Sequence, residues 1–233
     1  MSNGLNLKEY QAVLFDVDGT LVDSLEALIA GLGDTFERFT GNRPSDDDLK
    51  AIIGMPLRTQ LKLFQESEPD PERMAAMTEY TLERFEANVH LEREFGPAIQ
   101  ALELCRRGGR RTALVTSKSA VELSSFMKRF RGAPSCDVTV CASDVDQPKP
   151  HPESAMLACR RLGVEPSQAV MIGDSVFDMR CGRQAGASTV AVLYGSGRRE
   201  DLLAEAPDLV IETPSDLLEW IQNSLSTPCP ERR

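Results

Sequence analysis

Short apolar runs alternate with helical apolar stripes along most of this chain, and several of the runs end in charged or hydroxyl residues. Ala12-Val13-Leu14-Phe15 is wholly apolar, the pattern of a parallel strand buried on both faces, and it opens directly onto Asp16. Leu25, Leu28, Leu32, Phe36 and Phe39 then recur at helical spacing, which predicts a long amphipathic helix starting near Ser24. Ser45, with Asp48 three residues on, reads as the cap of a second helix that buries Leu49, Ile52 and Ile53 and stops at Gly54. Leu57, Leu61 and Phe64 make a further stripe, and Pro71 opens a helix with Met74, Met77, Leu82 and Phe85 turned inward.

The remainder alternates between the two periods. Helices are expected over residues 98–105, 121–130 and 215–225, after Pro152 and from Val176; strands are expected over 112–115, 138–141, 169–172, 189–192 and 209–211. Such alternation implies a parallel sheet. A crossover needs little more than about a dozen residues, so the stretch between the first strand and the next must hold an inserted helical unit. The expected fold is therefore α/β, a doubly wound parallel sheet with a small helical cap domain. Residues 1–21 and 96–233 form the core, and 22–95 form the cap, hinged near Val22 and Phe95.

Composition narrows the function. Hydrophobic residues at 41% and charged residues at 27% are ordinary for a globular protein. A net charge of -10 leaves little attraction for nucleic acid or an anionic membrane, so no partner of either kind is expected, and a phosphate-bearing ligand has to be held by local groups. Met1 to Tyr10 is polar, and no later run approaches the roughly 20 apolar residues of a membrane span, which predicts a cytoplasmic protein. The six cysteines show no CxxC pair or disulfide spacing and are expected as thiols, mostly in the core, with Cys229 in the tail. No pattern specifies an oligomer.

The chemistry lies where strands end. Along an extended backbone Asp16 and Asp18 point to the same side, and two close carboxylates call for a cation or protons; hard oxygen ligands suit Mg²⁺. Gly19 is expected to let a phosphate approach the backbone amides. Thr116-Ser117-Lys118, Lys149, and Asp174 with Asp178 follow later strands, whose ends converge on one edge of a parallel sheet. A carboxylate nucleophile, a second carboxylate, a hydroxyl, a lysine and two further acids are a phosphoryl-transfer inventory.

Four segments carry a resemblance. DVDGT at 16–20, VTSK at 115–118, KPHPE at 149–153 and GDSVFD at 173–178 resemble, in order and spacing, the four motifs of the haloacid dehalogenase superfamily. The insertion, including Ile53-Gly54-Met55-Pro56-Leu57, resembles the small cap of its phosphoglycolate phosphatase branch. The resemblance implies a Rossmann-like core and a Mg²⁺-dependent phosphatase acting on a small phosphate ester. It also implies that Asp16 forms an aspartyl-phosphate while Asp18 serves as acid, then base. Thr116 and Lys149 would bind the phosphoryl oxygens, with Gly19 and Ser117 beside them. Asp16, the backbone carbonyl of Asp18, and Asp174 would hold Mg²⁺, with Asp178 acting through water or orienting Lys149. One departure is Gln147-Pro148, where relatives often carry a basic residue and glycine.

Other functions remain in view. A sugar-phosphate mutase shares the chemistry, but such relatives carry a cap histidine soon after the first motif, and residues 22–40 contain none. Pyrophosphatase and nucleotidase activities stay open. Carbon-halogen hydrolysis is opposed by Asp18 and Asp174, and a noncatalytic phosphate-binding protein would need the motifs only for binding. His151 is read as structural, and Arg58 and Lys62 on the cap as solvated charge.

Overall fold

The computed structural model describes residues 5–226. Its strands are β1 (Ala12–Phe15), β2 (Val22–Asp23), β3 (Arg93–Glu94), β4 (Arg111–Val115), β5 (Val138–Val140), β6 (Ala169–Gly173), β7 (Ser188–Val192) and β8 (Leu209–Ile211). Six of them form one parallel sheet in the order β5-β4-β1-β6-β7-β8. The chain goes from β1 to β4 and β5 on one side, then returns to β6 on the other. The strand order thus reverses at β1, the place where such sheets open a crevice at their carboxyl ends.

Alternation along β1 feeds both faces. Val13 and Phe15 pack with Ile99 and Leu102 of α5 (Gly96–Arg107), Phe126 of α6 (Ala120–Arg129), and Leu217 and Ile221 of α10 (Pro214–Ser226). Ala12 and Leu14 face Ala155 and Ala158 of α7 (Glu153–Leu162) and Cys181 of α8 (Val176–Ala185). Small residues on α7 let it lie close to the sheet. The strands and helices anticipated in this half are all present. One helix was not anticipated: α9 (Arg199–Ala204) is half charged and is anchored by buried Leu202 against Met179 and Ala191.

Four helices build the segment after β1: α1 (Leu25–Thr40), α2 (Asp46–Ile52), α3 (Leu57–Gln60) and α4 (Pro71–Ala87). Their inward stripes meet in a separate apolar cluster around Leu32, Phe36, Leu49, Leu61, Met74 and Met77. At about 1.5–3 kcal/mol per fully buried side chain, that cluster can hold the helices together. Ser45 caps α2 as its spacing suggests, accepting from Asp48 N at 3.2 Å. The stripe from Leu57 to Phe64 yields only one helical turn. Pro69 and Pro71 disfavour helix just beyond it, and Phe64 turns to a left-handed φ of 56° with its ring edge-on to Phe36 at 5.5 Å.

The chain enters and leaves these helices through the antiparallel pair β2–β3, in register Val22 with Glu94 and Asp23 with Arg93. Glu92 with Arg129 at 2.8 Å, and Glu94 with Arg131, tie this ribbon to α6 and the loop after it. Among the described residues no helix is long and apolar enough to cross a membrane. Cys105, Cys141, Cys159 and Cys181 are buried free thiols and Cys136 is half-buried; Cys229 lies outside the described residues.

Candidate active site

The site forms where β1, β4 and β6 end. Asp16, one residue past β1, lies buried with Lys149 Nζ 2.7 Å from its Oδ1. The same ammonium donates to Asp178 Oδ1 at 2.6 Å and to the Val115 carbonyl at 3.0 Å, so it joins three strand ends. Lys149 reaches this place from a loop in which Gln147 N donates to Glu153 at 2.9 Å and the Lys149–Pro150 bond is cis. His151 accepts from Glu153 N at 3.3 Å, a turn contact that agrees with its structural reading.

Asp178 sits at the third position of α8 in a capping box, with Ser175 N at 3.1 Å and Ser175 Oγ at 2.5 Å on Oδ2. Both of its oxygens are therefore engaged, one by Ser175 and one by Lys149. Asp174 is held by Ser196, whose N and Oγ donate to Oδ2 at 2.7 and 2.9 Å. Carboxylate oxygens of Asp16, Asp174 and Asp178 lie within 4.8 Å of one another.

Three buried carboxylates share one ammonium, leaving two negative charges without a counterion. Burial, and then Asp178, raise the Asp16 carboxyl well above its ordinary value despite the opposing pull of Lys149. Asp174 is pushed up to about 7, mainly by burial and then Asp178, against the lowering effect of the Ser196 hydrogen bonds. A hard divalent cation removes this excess charge, so the donor set fits Mg²⁺. The sign is fixed: the carboxyls must ionise to bind the cation, so binding releases protons and affinity rises with pH. Calorimetric titration at about pH 6 and about pH 8 is expected to show tighter Mg²⁺ binding at the higher pH. Equal affinities would contradict this electrostatic picture.

Asp18 lies across the same cavity and is not part of the three-acid cluster. Lys118 Nζ approaches its two oxygens at 3.0 and 2.9 Å, and Ser24 Oγ donates to Oδ1 at 2.6 Å. Burial alone would lower the Lys118 ammonium, but Asp18 and Glu122 outweigh it and the net shift is upward. The side chain of Asp18 is committed to Lys118 and Ser24, which is compatible with the family resemblance, where the backbone carbonyl is the implied metal donor. Thr116 is buried one residue past β4, and its Oγ1 accepts from Lys118 N at 3.2 Å, which leaves its hydroxyl proton for another acceptor.

Two of the expected phosphate-side residues have other contacts in the structure. Gly19 has φ 75°, and its N–H donates to the Val22 carbonyl at 2.7 Å. A Cβ there would fall 2.0 Å from Asp174 Oδ2, so this glycine makes room for Asp174 and its amide is occupied by the turn. Ser117 Oγ donates to the Gly54 carbonyl, in the loop after α2, at 2.6 Å, so its hydroxyl ties the helical segment after β1 to the end of β4. Gly19→Ala is expected to displace Asp174 and weaken Mg²⁺ binding about 10- to 100-fold; unchanged affinity by calorimetry would count against this packing argument.

The cavity above Asp16 and Asp18 measures about 30 Å³, room for about two waters at roughly 10–15 Å³ each. A larger cleft of about 450 Å³ lies on the far side of Ile53, between α2 and α8, and its walls hold none of Asp16, Asp18, Thr116 or Lys149. The smaller cavity is the one with the chemistry.

The model of the haloacid dehalogenase-like hydrolase family matches residues 13–192, a span that includes all four motifs. The chain belongs to the haloacid dehalogenase-like hydrolases. Within this family it is 32% identical over 211 residues to the pyrophosphatase PpaX of Bacillus velezensis, covering 91% of this chain and 96% of that one. The PpaX of Anoxybacillus flavithermus is 31% identical over 217 residues, covering 88% and 94%. A predicted phosphoglycolate phosphatase from Haemophilus somnus 129pt shares the fold with a TM-score of 0.80 at 21% identity, over 91% of this chain and 97% of that one. CbbY from Rhodobacter sphaeroides, solved in complex with phosphate, has a TM-score of 0.78 at 22% identity, over 91% and 99%.

Sequence reasoning missed the residues that hold this hydrolase's acids in place. The loop Tyr194-Gly195-Ser196-Gly197 follows β7, and Gly195 packs so closely that a Cβ would lie 2.3 Å from Asp174 Oδ2. Two glycines flanking a serine just past a buried strand are the signal that could have found them.

Proposed function

We propose that this hydrolase is a Mg²⁺-dependent phosphohydrolase of small phosphate compounds that works through Asp16. The observation that carries the reading is the buried cluster of Asp16, Asp174 and Asp178 at the sheet's reversal point, with Lys149 donating to Asp16 and Asp178. In this reading the carboxylate of Asp16 attacks phosphorus and forms an aspartyl-phosphate. Lys149 holds Asp16 Oδ1 and fixes the direction of Oδ2; with its three N–H groups on Asp16, Asp178 and the Val115 carbonyl, it attracts the incoming phosphoryl group through its charge. Thr116 donates its hydroxyl proton to another phosphoryl oxygen. Asp18 gives a proton to the leaving oxygen and then takes one from the attacking water. Asp178 orients Lys149.

Asp16, Asp174 and the backbone carbonyl of Asp18 are the donors for Mg²⁺. When bound, the ion offsets the charge of a phosphate meeting a carboxylate, the main barrier to this attack. Residues 22–95 act as a cap on a core made of 1–21 and 96–233. A cavity with room for about two waters admits no substrate, so the cap swings away on the β2–β3 ribbon and the Ser117–Gly54 latch opens.

Inorganic pyrophosphate is the first substrate to test, supported by the near full-length PpaX relatives. A small phosphomonoester such as phosphoglycolate is the second, supported by the cap sequence Ile53-Gly54-Met55-Pro56-Leu57. The test is phosphate release from pyrophosphate, phosphoglycolate, nucleoside monophosphates and sugar phosphates, with Mg²⁺ or chelator. The reading predicts release that requires Mg²⁺; folded, Mg²⁺-loaded protein that releases none from the whole panel would overturn it.

A further inference from the structure

Lys118 stands out because the proposed reaction gives its ammonium no task. It is buried to within 8% of full cover, two residues past the end of β4-flanking Thr116, and the turn closed by its own N–H on Thr116 Oγ1 aims its side chain into the cavity. There it meets both oxygens of Asp18, and the Phe126 ring lies 5.8 Å away. Leu28, Ile53, Met55, Leu57 and Phe85 give the cavity its apolar lining, and Glu122 also lines it, with one carboxylate oxygen accepting from Ser119 N at 2.7 Å. The amide of Gln60, the cap's polar lining residue, donates to the Met55 carbonyl at 2.8 Å. Arg58 and Lys62 are exposed on the cap, and Lys62 pairs with Glu68. Lys149, the other buried ammonium, is held between Asp16 and Asp178 on the nucleophile's side.

Lys118 is thus the cation that lines the cavity on the side of Asp18, where the leaving group departs. An ammonium has three N–H donors, so it can hold Asp18 and a ligand oxygen together. We infer that Lys118 receives an anionic leaving group, making the site selective for substrates that carry negative charge next to the bridging oxygen, inorganic pyrophosphate among them, over those with an uncharged leaving group. This rests on the phosphohydrolase reading and sets its substrate class. In the step concerned, Asp16 forms a bond to phosphorus, the bond to the bridging oxygen breaks, and its electron pair leaves on that oxygen. For pyrophosphate the departing group is orthophosphate, which takes a proton from Asp18 and keeps its remaining charge beside Lys118. Water then cleaves the aspartyl-phosphate and releases the second phosphate.

The experiment compares pyrophosphate with p-nitrophenyl phosphate, whose aryl group is uncharged in the substrate, for wild-type protein and Lys118→Met at saturating Mg²⁺. Loss of Lys118's grip on Asp18 affects both substrates, so the ratio isolates its contact with the leaving group. The fall in kcat/KM is expected to be about 10- to 100-fold larger for pyrophosphate, the worth of a charged hydrogen bond, and Lys118→Arg should recover part of that gap. Equal falls for both substrates, or no fall in either, would overturn the inference and leave the phosphohydrolase reading standing. Wild-type protein inactive on both would overturn that reading and the inference with it. Should Lys118→Met fail to fold, the same ratio is taken from Lys118→Gln, with folding checked by circular dichroism.

Discussion

Asp16→Asn is expected to lower kcat by at least about 10⁴-fold, the scale of losing a nucleophile, while the protein stays folded and, without metal, melts no lower than wild type. The amide keeps the shape of the carboxylate but cannot attack phosphorus. Lys149 keeps Asp178 and the Val115 carbonyl as partners, so its charge is not stranded. The stability sign follows from the raised carboxyl of Asp16, caused by burial and by Asp178. A carboxyl raised in the folded state gives its full stabilisation below the ordinary carboxylate range and loses it as pH rises through the folded value. Above the ordinary carboxylate range the raised group therefore costs stability that Asn does not, and the advantage in Tm should widen as pH rises towards the folded value in chelator. Steady-state turnover within about tenfold of wild type would remove Asp16 from the mechanism.

Lys149→Met is expected to cost about 3–5 kcal/mol of stability in the absence of metal, the usual result of removing one partner of a buried ion pair. Asp16 and Asp178 sit 2.7 and 2.6 Å from the ammonium, and both carboxylates are nearly or wholly buried, so neither can turn to water for compensation. Part of the loss should return on adding Mg²⁺, because the ion and Lys149 oppose the same excess of negative charge. Urea unfolding with Mg²⁺ and with chelator measures both terms. A destabilisation under about 1 kcal/mol, or one that Mg²⁺ does not reduce, would mean that Lys149 is not the counterion of this cluster.

What the sequence revealed and what it concealed divide along the range of the interactions. Strand β1 and the cap of α2 at Ser45 are written in neighbouring residues, and local spacing was enough to find them; the capping box of Ser175 with Asp178 is equally local but was not read. The convergence of Asp16, Thr116, Lys149, Asp174 and Asp178 was legible because each follows an apolar run, and parallel strands bring such ends together. The pairing of Lys118 with Asp18 spans 100 positions, and the latch from Ser117 to Gly54 spans 63. The first joins the loops after the neighbouring strands β4 and β1, and the second depends on how the inserted helices close over the sheet. Gly19 shows the same limit: the sequence suggested a close approach at this glycine, but the neighbour that forbids a side chain is Asp174, brought in by β6. The ribbon of β2 and β3 was too short to carry a pattern of its own.

The central claim is that Asp16 attacks phosphorus and that water attacks only the aspartyl-phosphate. The stereochemical course at a phosphoryl group made chiral by isotopic oxygen and sulfur tests it most directly. Two successive in-line displacements predict retention of configuration. Inversion would mean that water attacks the substrate directly, with Asp16 reduced to a metal ligand.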